Sequence, residues 1–325
     1  IMNILLTGGA GYIGSHTTLK LLDSGHQVTI IDNLVNGTSK LIPKKANFLH
    51  SDISDKEKIS QLLKKNQFDL IIHFAAFTKV GESVKFPKKY MENNYNKAKT
   101  FLNICIEFGL KKIIFSSTGS VYGNINKKNI LETDTTTPIN PYSDSKLKFE
   151  RYLDLLCKEE KCSSVILRYF NVAGADHDLR SGLLTNPDNL IKVICEVATK
   201  KKEKLIVNGT NYKTKDGTTI RDFIHVSDLA EMHLLAAKNL IKDSNVSSNI
   251  YNCGYGEGYS VKDVINEMNK ILQHDIKVEF GPNRQGDAAY SVADVTKFVK
   301  QFKWKPKCNN LNLILKSALD WEKKI

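Results

Sequence analysis

Short apolar runs alternate with amphipathic stretches through the first half of the chain. NILLTG (residues 3–8), HQVTIID (26–32), ANFLHSD (46–52), FDLIIHFA (68–75), KKIIFSS (111–117) and SSVILRYFN (163–171) are of strand length and largely apolar on consecutive positions. Strands of that kind are buried on both faces, as in a parallel sheet covered by helices on either side. Between the runs the apolar period lengthens to that of a helix, over residues 12–24, 56–65 and 90–108, and again in the segment that carries Tyr142. Alternating strands and helices predict an α/β protein built on a doubly wound parallel sheet.

The texture changes after Asn171. AGADHDLRSGLLTNPDN and NGTNYKTKDGTT are polar loops rich in Gly, Asn and Asp, and the elements between them are short. This places a domain boundary near residue 172. A first domain covers residues 1–172, and a smaller, mixed α/β C-terminal domain covers 173–325. One strongly periodic helix, at residues 226–240, is expected to return to the first domain. Long polar loops in a folded protein are more often functional than decorative.

Composition narrows the class. Of 325 residues, 41% are hydrophobic and 25% charged, the balance of an ordinary globular protein. No apolar run approaches the ~20 residues that a membrane-spanning helix needs. The first run leads straight into a glycine motif, unlike a secretory leader, so a cytoplasmic protein without a membrane partner is expected. The formal charge of +12 comes from 47 basic against 35 acidic residues. The excess is lysine dispersed along the chain, without interleaved aromatics, and does not read as a nucleic-acid surface. The six cysteines show no Cys-x-x-Cys and no Cys/His spacing. They read as reduced thiols, with no metal site.

The first candidate chemistry lies in NILLTGGAGYIGSH, where a strand pattern passes into a helix pattern through Gly8, Gly9, Gly11 and Gly14. Residues without a Cβ permit a tight turn and let a pyrophosphate approach backbone N–H groups. The helix N-terminus that follows, with Tyr12 and Ile13 in its first turn, favours the negative charge. Asp32 ends the next strand eighteen positions beyond Gly14, where an acid accepts hydrogen bonds from the adenosine ribose. Asn33 and Leu34 follow it, with no basic residue to meet a 2′-phosphate. The expected cofactor is NAD on a Rossmann-type fold. Asp52 and Ile53, closing the third strand, are placed to flank the adenine; for Asp52 the competing reading is a cap for the helix after it.

The second is NPYSDSKLKFE, residues 140–150. Tyr142 and Lys146 are four apart, on one helical face. Ser116 and Thr118 end an upstream strand, at the side of the sheet where doubly wound folds gather ligands. A free phenol, with a pKa of about 10, is a poor base at neutral pH. Lys146 and a cationic nicotinamide ring would both lower it. The set is read as catalytic, with Tyr142 as acid/base, Lys146 as its electrostatic partner and a ribose ligand, and Thr118 and Ser116 as donors to the reacting oxygen.

With TGGAGYIG, SST and YSDSK in these places, the sequence resembles the extended short-chain dehydrogenase/reductase superfamily. Within it the chain is most similar to the UDP-glucose 4-epimerase family, through DNL, HFAA, VGESV, LRYFNVAGA, DGTTIRDFIHVSDLA, YNCGYGEGYSV and RQGD. The resemblance runs from Met2 to about Trp321. It implies an NAD-dependent isomerase that interconverts UDP-galactose and UDP-glucose through a 4-keto sugar, and a homodimer. It also places Phe74, Ala75 and Ala76 along the cofactor, with Asn94 as a polar contact nearby. Tyr169, Phe170 and Asn171 fall on the substrate side, Tyr169 where that side meets the cofactor. Asn189 and Leu190 fall near the nucleotide, Arg221 and Arg284 on the pyrophosphate, and Asp287 on the uridine ribose. Guanidinium forks suit phosphate oxygens; the competing reading of Arg221 is an ion pair with Asp222, and of Arg284 a solvated charge.

Several positions depart from the family's pattern. Thr78 stands where a lysine is common, with Lys79 one place later. Asn208 stands where an aromatic precedes the glycine, Ala288 where a proline follows the R-x-G-D motif, and Ser291 at a position that limits the sugar's C2 substituent. A small serine there would admit an N-acetylated sugar, and UDP-pentoses are a further alternative. Nucleotide-sugar dehydratases carry an Asp-Glu pair where this chain has Gly119 and Ser120. A reductase on the same fold would not need DGTTIRDFIHV, and a regulator without chemistry would not need the tyrosine and lysine. His73, His225 and His16 read as structural.

Overall fold

The computed structural model describes residues 1–125, 127–186, 188–243, 246–283 and 287–325. Strands β1 (Asn3–Thr7), β2 (Gln27–Asp32), β3 (Asn47–His50), β4 (Leu70–His73), β5 (Lys112–Thr118) and β6 (Ser163–Tyr169) form one sheet with an edge strand, Ser248–Cys253. The order across this seven-stranded sheet is edge strand, β6, β5, β4, β1, β2, β3. From β3 to β5 every neighbouring pair is parallel. The chain winds outward from β1 to β3 and then crosses back to lay β4 on the other side of β1. Between β1 and β4 the winding reverses, and the loops at their C-terminal ends diverge; ligands of this fold bind at such a switch point. This is the Rossmann-type sheet expected from the continuous apolar runs. Leu70 to His73 are buried at every position, and β2 is buried from Val28 to Asp32.

Helices α1 (Tyr12–Asp23), α2 (Lys56–Lys65), α3 (Val80–Lys85), α4 (Pro87–Met91), α5 (Ala98–Glu107) and α6 (Pro141–Glu160) connect the strands. Two helix starts illustrate local causes. Asp55 accepts from Lys58 N at the head of α2, and Asn140 accepts from Ser143 N at 2.9 Å with Pro141 following it at the head of α6. One core fills between strands and helices, from Leu5, Ile31, Ile71, Ile113 and Phe115 to Phe101, Leu102, Cys105, Phe149 and Leu153.

The long helix expected over residues 90–108 is not uniform. Between α4 and α5 the segment Glu92–Lys97 widens into a π-helical turn, which changes the facing of the residues it contains. Helix α3 and the edge strand carry too little periodicity to be expected from the sequence.

The chain divides into two compact units that are not consecutive halves. The first comprises Ile1–Val121, Pro138–Arg168 and Ala230–Tyr251. The second comprises Tyr122–Thr137, Tyr169–Leu229 and Asn252–Ile325, and is built of small sheets. In it Leu205–Asn208 pairs in parallel with Val278–Gly281, and Ile220–Arg221 lies between Tyr259–Ser260 and Tyr290–Ser291. Helices Leu190–Ala198, Val261–Leu272 and Leu311–Lys324 share a core that includes Ile194, Val264, Met268 and Ile314. All six cysteines are unpaired thiols, five of them buried. Among the described residues no helix is long and apolar enough to cross a membrane.

Candidate active site

The glycine loop joins β1 to α1, and two of its glycines are required by geometry. Gly8 has φ +75°, and a Cβ there would lie 2.6 Å from Ala75 N. A Cβ on Gly14 would lie 2.3 Å from the Gly8 carbonyl oxygen, so the first turn of α1 sits directly on the loop. Gly11 is the N-cap of α1 and offers no side chain to its first turn. A helix start with a backbone cap and a loop stripped of Cβ atoms fits a pyrophosphate, which carries its own acceptors.

Asp32 is the next constraint. Its carboxylate is buried and accepts from Ala10 N at 3.0 Å and Leu34 N at 2.8 Å, tying the end of β2 to the glycine loop. Burial raises its pKa, against the pull of those two N–H groups. Asp52 is not the helix cap, since Asp55 holds that place. It receives Ser54 N, the Ser54 hydroxyl, the Asn33 amide at 3.3 Å and the Lys97 ammonium at 2.6 Å. Partial burial pushes the Asp52 carboxyl up, but Lys97 and Ser54 outweigh it and bring it down to about 2. Lys97 has no sequence signal; the π turn aims it. Ile53 is buried in the core.

After β4, Phe74 N donates to the Thr7 carbonyl and Ala75 N to the Thr7 hydroxyl, holding residues 74–76 against β1. Phe74 meets His233, with ring centroids 5.0 Å apart. Asn94, in the π turn, accepts from Phe77 N at 2.8 Å and from the Asn93 amide, and donates to the Phe77 carbonyl and the Ser145 hydroxyl. Those four bonds use the full capacity of an amide side chain. Asn94 therefore clamps the loop after β4 to α6, a positioning task the resemblance did not convey.

Tyr142 and Lys146 stand one turn apart on α6. The Thr118 hydroxyl is near enough to the Tyr142 phenol to draw its pKa down, and it accepts from Ser120 N at 3.1 Å. Lys146 is buried, donates to the Ser116 carbonyl at 2.8 Å and lies 4.9 Å from the Phe115 ring centroid. Its partner in Ser116 is thus the backbone oxygen. Burial acts against the lowering expected of the tyrosine. It pushes Tyr142 up to about 12, against the Thr118 hydroxyl, and pushes Lys146 down to about 7. Desolvation penalises both charged forms and outweighs Thr118 at the tyrosine and Glu150 at the lysine. His73 is buried among Phe101, Phe115 and Phe149 with Nδ1 2.7 Å from the Thr7 hydroxyl. Burial and Lys146 lower it to about 3, so it is neutral and structural.

The remaining candidates lie in the second unit. Tyr169 and Phe170 are buried, Phe170 against the Tyr122 ring, and the side chain of Asn171 is exposed. Asn189 caps the helix Leu190–Ala198 by accepting from Lys192 N at 3.0 Å. Arg221 donates to the Ile220 and Ala288 carbonyls, each at 2.9 Å, and to Asp287 at 3.1 Å. Its partner is Asp287; Asp222 instead turns inward and accepts from Tyr255 N, Gly256 N and Ala293 N. Arg284 lies outside the described residues. His225 accepts from Ser227 N and bonds the Ser317 hydroxyl, a structural role. Among the described residues, Asp176, His177 and Asp178 alone group as metal ligands could, and Arg180 already pairs with Asp176 at 2.8 Å.

A reversing parallel sheet, a Cβ-free loop at its switch point and a tyrosine–lysine pair beside a serine/threonine strand end define a dinucleotide-dependent enzyme of the short-chain dehydrogenase type. The chain belongs to the NAD dependent epimerase/dehydratase family, whose model matches residues 4–254. It is 42% identical over 323 residues to a UDP-glucose 4-epimerase of Halalkalibacterium halodurans, covering 99% of this chain and 96% of that one. A UDP-glucose 4-epimerase from Stenotrophomonas maltophila, solved with NAD and formylated UDP-arabinopyranose, superposes with a TM-score of 0.95 at 34% identity, over 100% of this chain and 98% of that one. The UDP-Glc/GlcNAc 4-epimerase of Campylobacter jejuni gives a TM-score of 0.86 at 42% identity, with each chain covered completely.

Proposed function

We propose that this protein interconverts UDP-galactose and UDP-glucose by inverting C4 of the hexose, with NAD as its resident cofactor. The observation that carries the reading is Lys146, buried on α6 one turn beyond Tyr142 and bonded to the Ser116 carbonyl at 2.8 Å, in a chain whose glycine loop fits a dinucleotide. NAD bound there would supply a reversible hydride acceptor for C4. The residues do the rest. Tyr142 takes the proton of the 4-hydroxyl and gives it back, and Thr118 and Ser116 hold the reacting oxygen. Lys146 stabilises the phenolate and meets the nicotinamide ribose, while Asp32 receives the adenosine ribose. Asp52, Ile53, Phe74, Ala75, Ala76 and Tyr169 line the cofactor. Phe170, Asn171, Asn189 and Leu190 line the sugar nucleotide, whose pyrophosphate is met by Arg221 and Arg284 and whose uridine ribose is met by Asp287. Gly119 and Ser120 offer no second acid–base pair, which favours epimerisation over elimination.

Ser291 supports a second substrate class. It is small, and it stands in the strand beside Arg221, so UDP-N-acetylhexosamines are accepted as well. The protein acts in the cytoplasm as a homodimer. Incubation with UDP-galactose and no added cofactor tests the proposal by chromatography: UDP-glucose forms in the wild type and not in Tyr142→Phe. Turnover of UDP-N-acetylgalactosamine alone would move the substrate, and no turnover of any nucleotide sugar with NAD supplied would overturn the reading.

A further inference from the structure

Tyr142 and Lys146 are two members of a longer stripe. Four residues beyond Lys146, on the same face of α6, stands Glu150, and it is buried, with 3% of its surface exposed. A carboxylate there needs partners, and it has three bonds from two strands. Arg168 of β6 grips it as a fork, Nε to Oε1 at 3.0 Å and Nη2 to Oε2 at 2.6 Å. The Ser117 hydroxyl of β5 donates to Oε1 as well. Ser117 is the neighbour of Ser116, whose carbonyl receives Lys146, and of Thr118, whose hydroxyl meets Tyr142.

We infer that Glu150, gripped by Arg168 and Ser117, is a positioning residue for the proton-transfer pair: it sets its carboxylate on the Lys146 side of α6 and fixes the strand end that aims Lys146 and Thr118 at Tyr142. The inference rests on the proposed role of Tyr142 and Lys146. The charges facing Lys146 are few. His73 on β4 is buried and neutral, Tyr142 on its own helix is a neutral phenol, and Arg168 is paired. Glu150 is the carboxylate whose field opposes the loss of the lysine proton on burial. The arrangement also explains why a charged pair is retained in a core where apolar residues would cost less. Arg168 pairs with Glu150, and the field of Glu150 opposes the effect of burial on Lys146.

Glu150→Gln keeps the shape and removes the charge. Two readouts separate this inference from the assignment of the reaction. The first is the lysine 13Cε NMR titration of Lys146 in the protein without added substrate, expected to move to lower pH by about one unit. The second is the pH profile of kcat, whose alkaline limb follows it while KM for the sugar nucleotide stays within about twofold. Ser117→Ala is the control; it loses a hydrogen bond to Glu150 and no charge, and leaves the titration in place. If Glu150→Gln does not fold, Glu150→Asp draws the charge back and gives a smaller shift in the same direction. An unmoved titration in whichever variant folds overturns the inference. Absence of turnover in the wild type would overturn the assigned reaction, and the titration would still decide the role of Glu150.

Discussion

The Asp32 carboxylate accepts from Ala10 N at 3.0 Å and so holds the glycine loop in shape. The proposed ribose contact would put a second task on the same buried side chain. Asp32→Ala leaves the N–H groups of Ala10 and Leu34 without their acceptor, at a cost of about 2 kcal/mol. The expected outcome is a lower Tm together with loss of NAD from the purified protein. Thermal melts and the NAD released on denaturation check it. A variant that retains full NAD would show that the carboxylate serves the loop alone.

Gly14→Ala is expected to be worse than a loop mutation usually is. The new methyl group would meet the Gly8 carbonyl at 2.3 Å, and backbone on both sides cannot give way. A loss of about 2 kcal/mol or more follows from overpacking, and NAD retention falls with it. Gly81→Ala, in α3, is the contrast. A Cβ there meets nothing within 4 Å, and helix propensity favours alanine by about 0.5–1 kcal/mol. Chemical denaturation of the two variants should move in opposite directions.

Tyr142→Phe removes the phenolic oxygen near Thr118 while leaving the ring. Loss of a general acid–base group lowers kcat by about 10²–10⁴. The melting temperature and bound NAD should stay near the wild-type values. A kcat within tenfold of wild type would remove Tyr142 from the proton transfer.

For Arg221 two roles compete, a structural pair with Asp287 and a clamp on substrate phosphate. Arg221→Ala is expected to raise KM for the sugar nucleotide by about 10–100-fold, the worth of charge-assisted hydrogen bonds, with a smaller change in kcat. Asp287→Asn breaks the same pair and keeps the guanidinium. Since Asp287 is itself assigned to the uridine ribose, competition by UDP and by uridine, which lacks the phosphates, separates the roles. If Arg221 binds phosphate, Arg221→Ala weakens UDP and spares uridine; if the pair is all that matters, both ligands weaken alike.

The large sheet was legible in the sequence because burial on both faces writes continuous apolar runs, and the glycine loop because its turn admits no Cβ. The Tyr142–Lys146 spacing was legible because a helical face is a matter of arithmetic. What the sequence did not carry depends on partners brought from elsewhere. The edge strand Ser248–Cys253 is defined by its pairing with β6, and the π turn at Glu92–Lys97 by the tasks of Asn94 and Lys97. The opposing push of burial on Tyr142 was not legible, because a sequence shows which charges are near and not how much water is excluded. Glu150 and Asp222 lie within quoted stretches, but nothing in those stretches names their partners. Their importance lies in Arg168, and in the turn around Gly254 and Gly256.

The burial of Lys146 makes a prediction about pH. Its ordinary value is 10.5, and desolvation brings it to about 7 in the folded protein, against the field of Glu150. Below pH 7 both folded and unfolded chains hold the proton, and the folded protein bears the whole cost of a buried ammonium. Between about 7 and 10.5 the unfolded chain keeps the proton that the folded one sheds, so this cost shrinks as pH rises. Lys146→Met removes the group and its cost. The variant is therefore expected to be inactive, yet to gain most in Tm relative to wild type at pH 6–7. That gain should narrow steadily toward pH 10. Differences between the two melting curves cancel the titrations they share. Parallel curves across the whole range would show that Lys146 titrates as it does in water. A gap that narrowed toward acid instead would mean that Glu150 and the Ser116 carbonyl overcompensate burial and hold the lysine proton more tightly than solvent does.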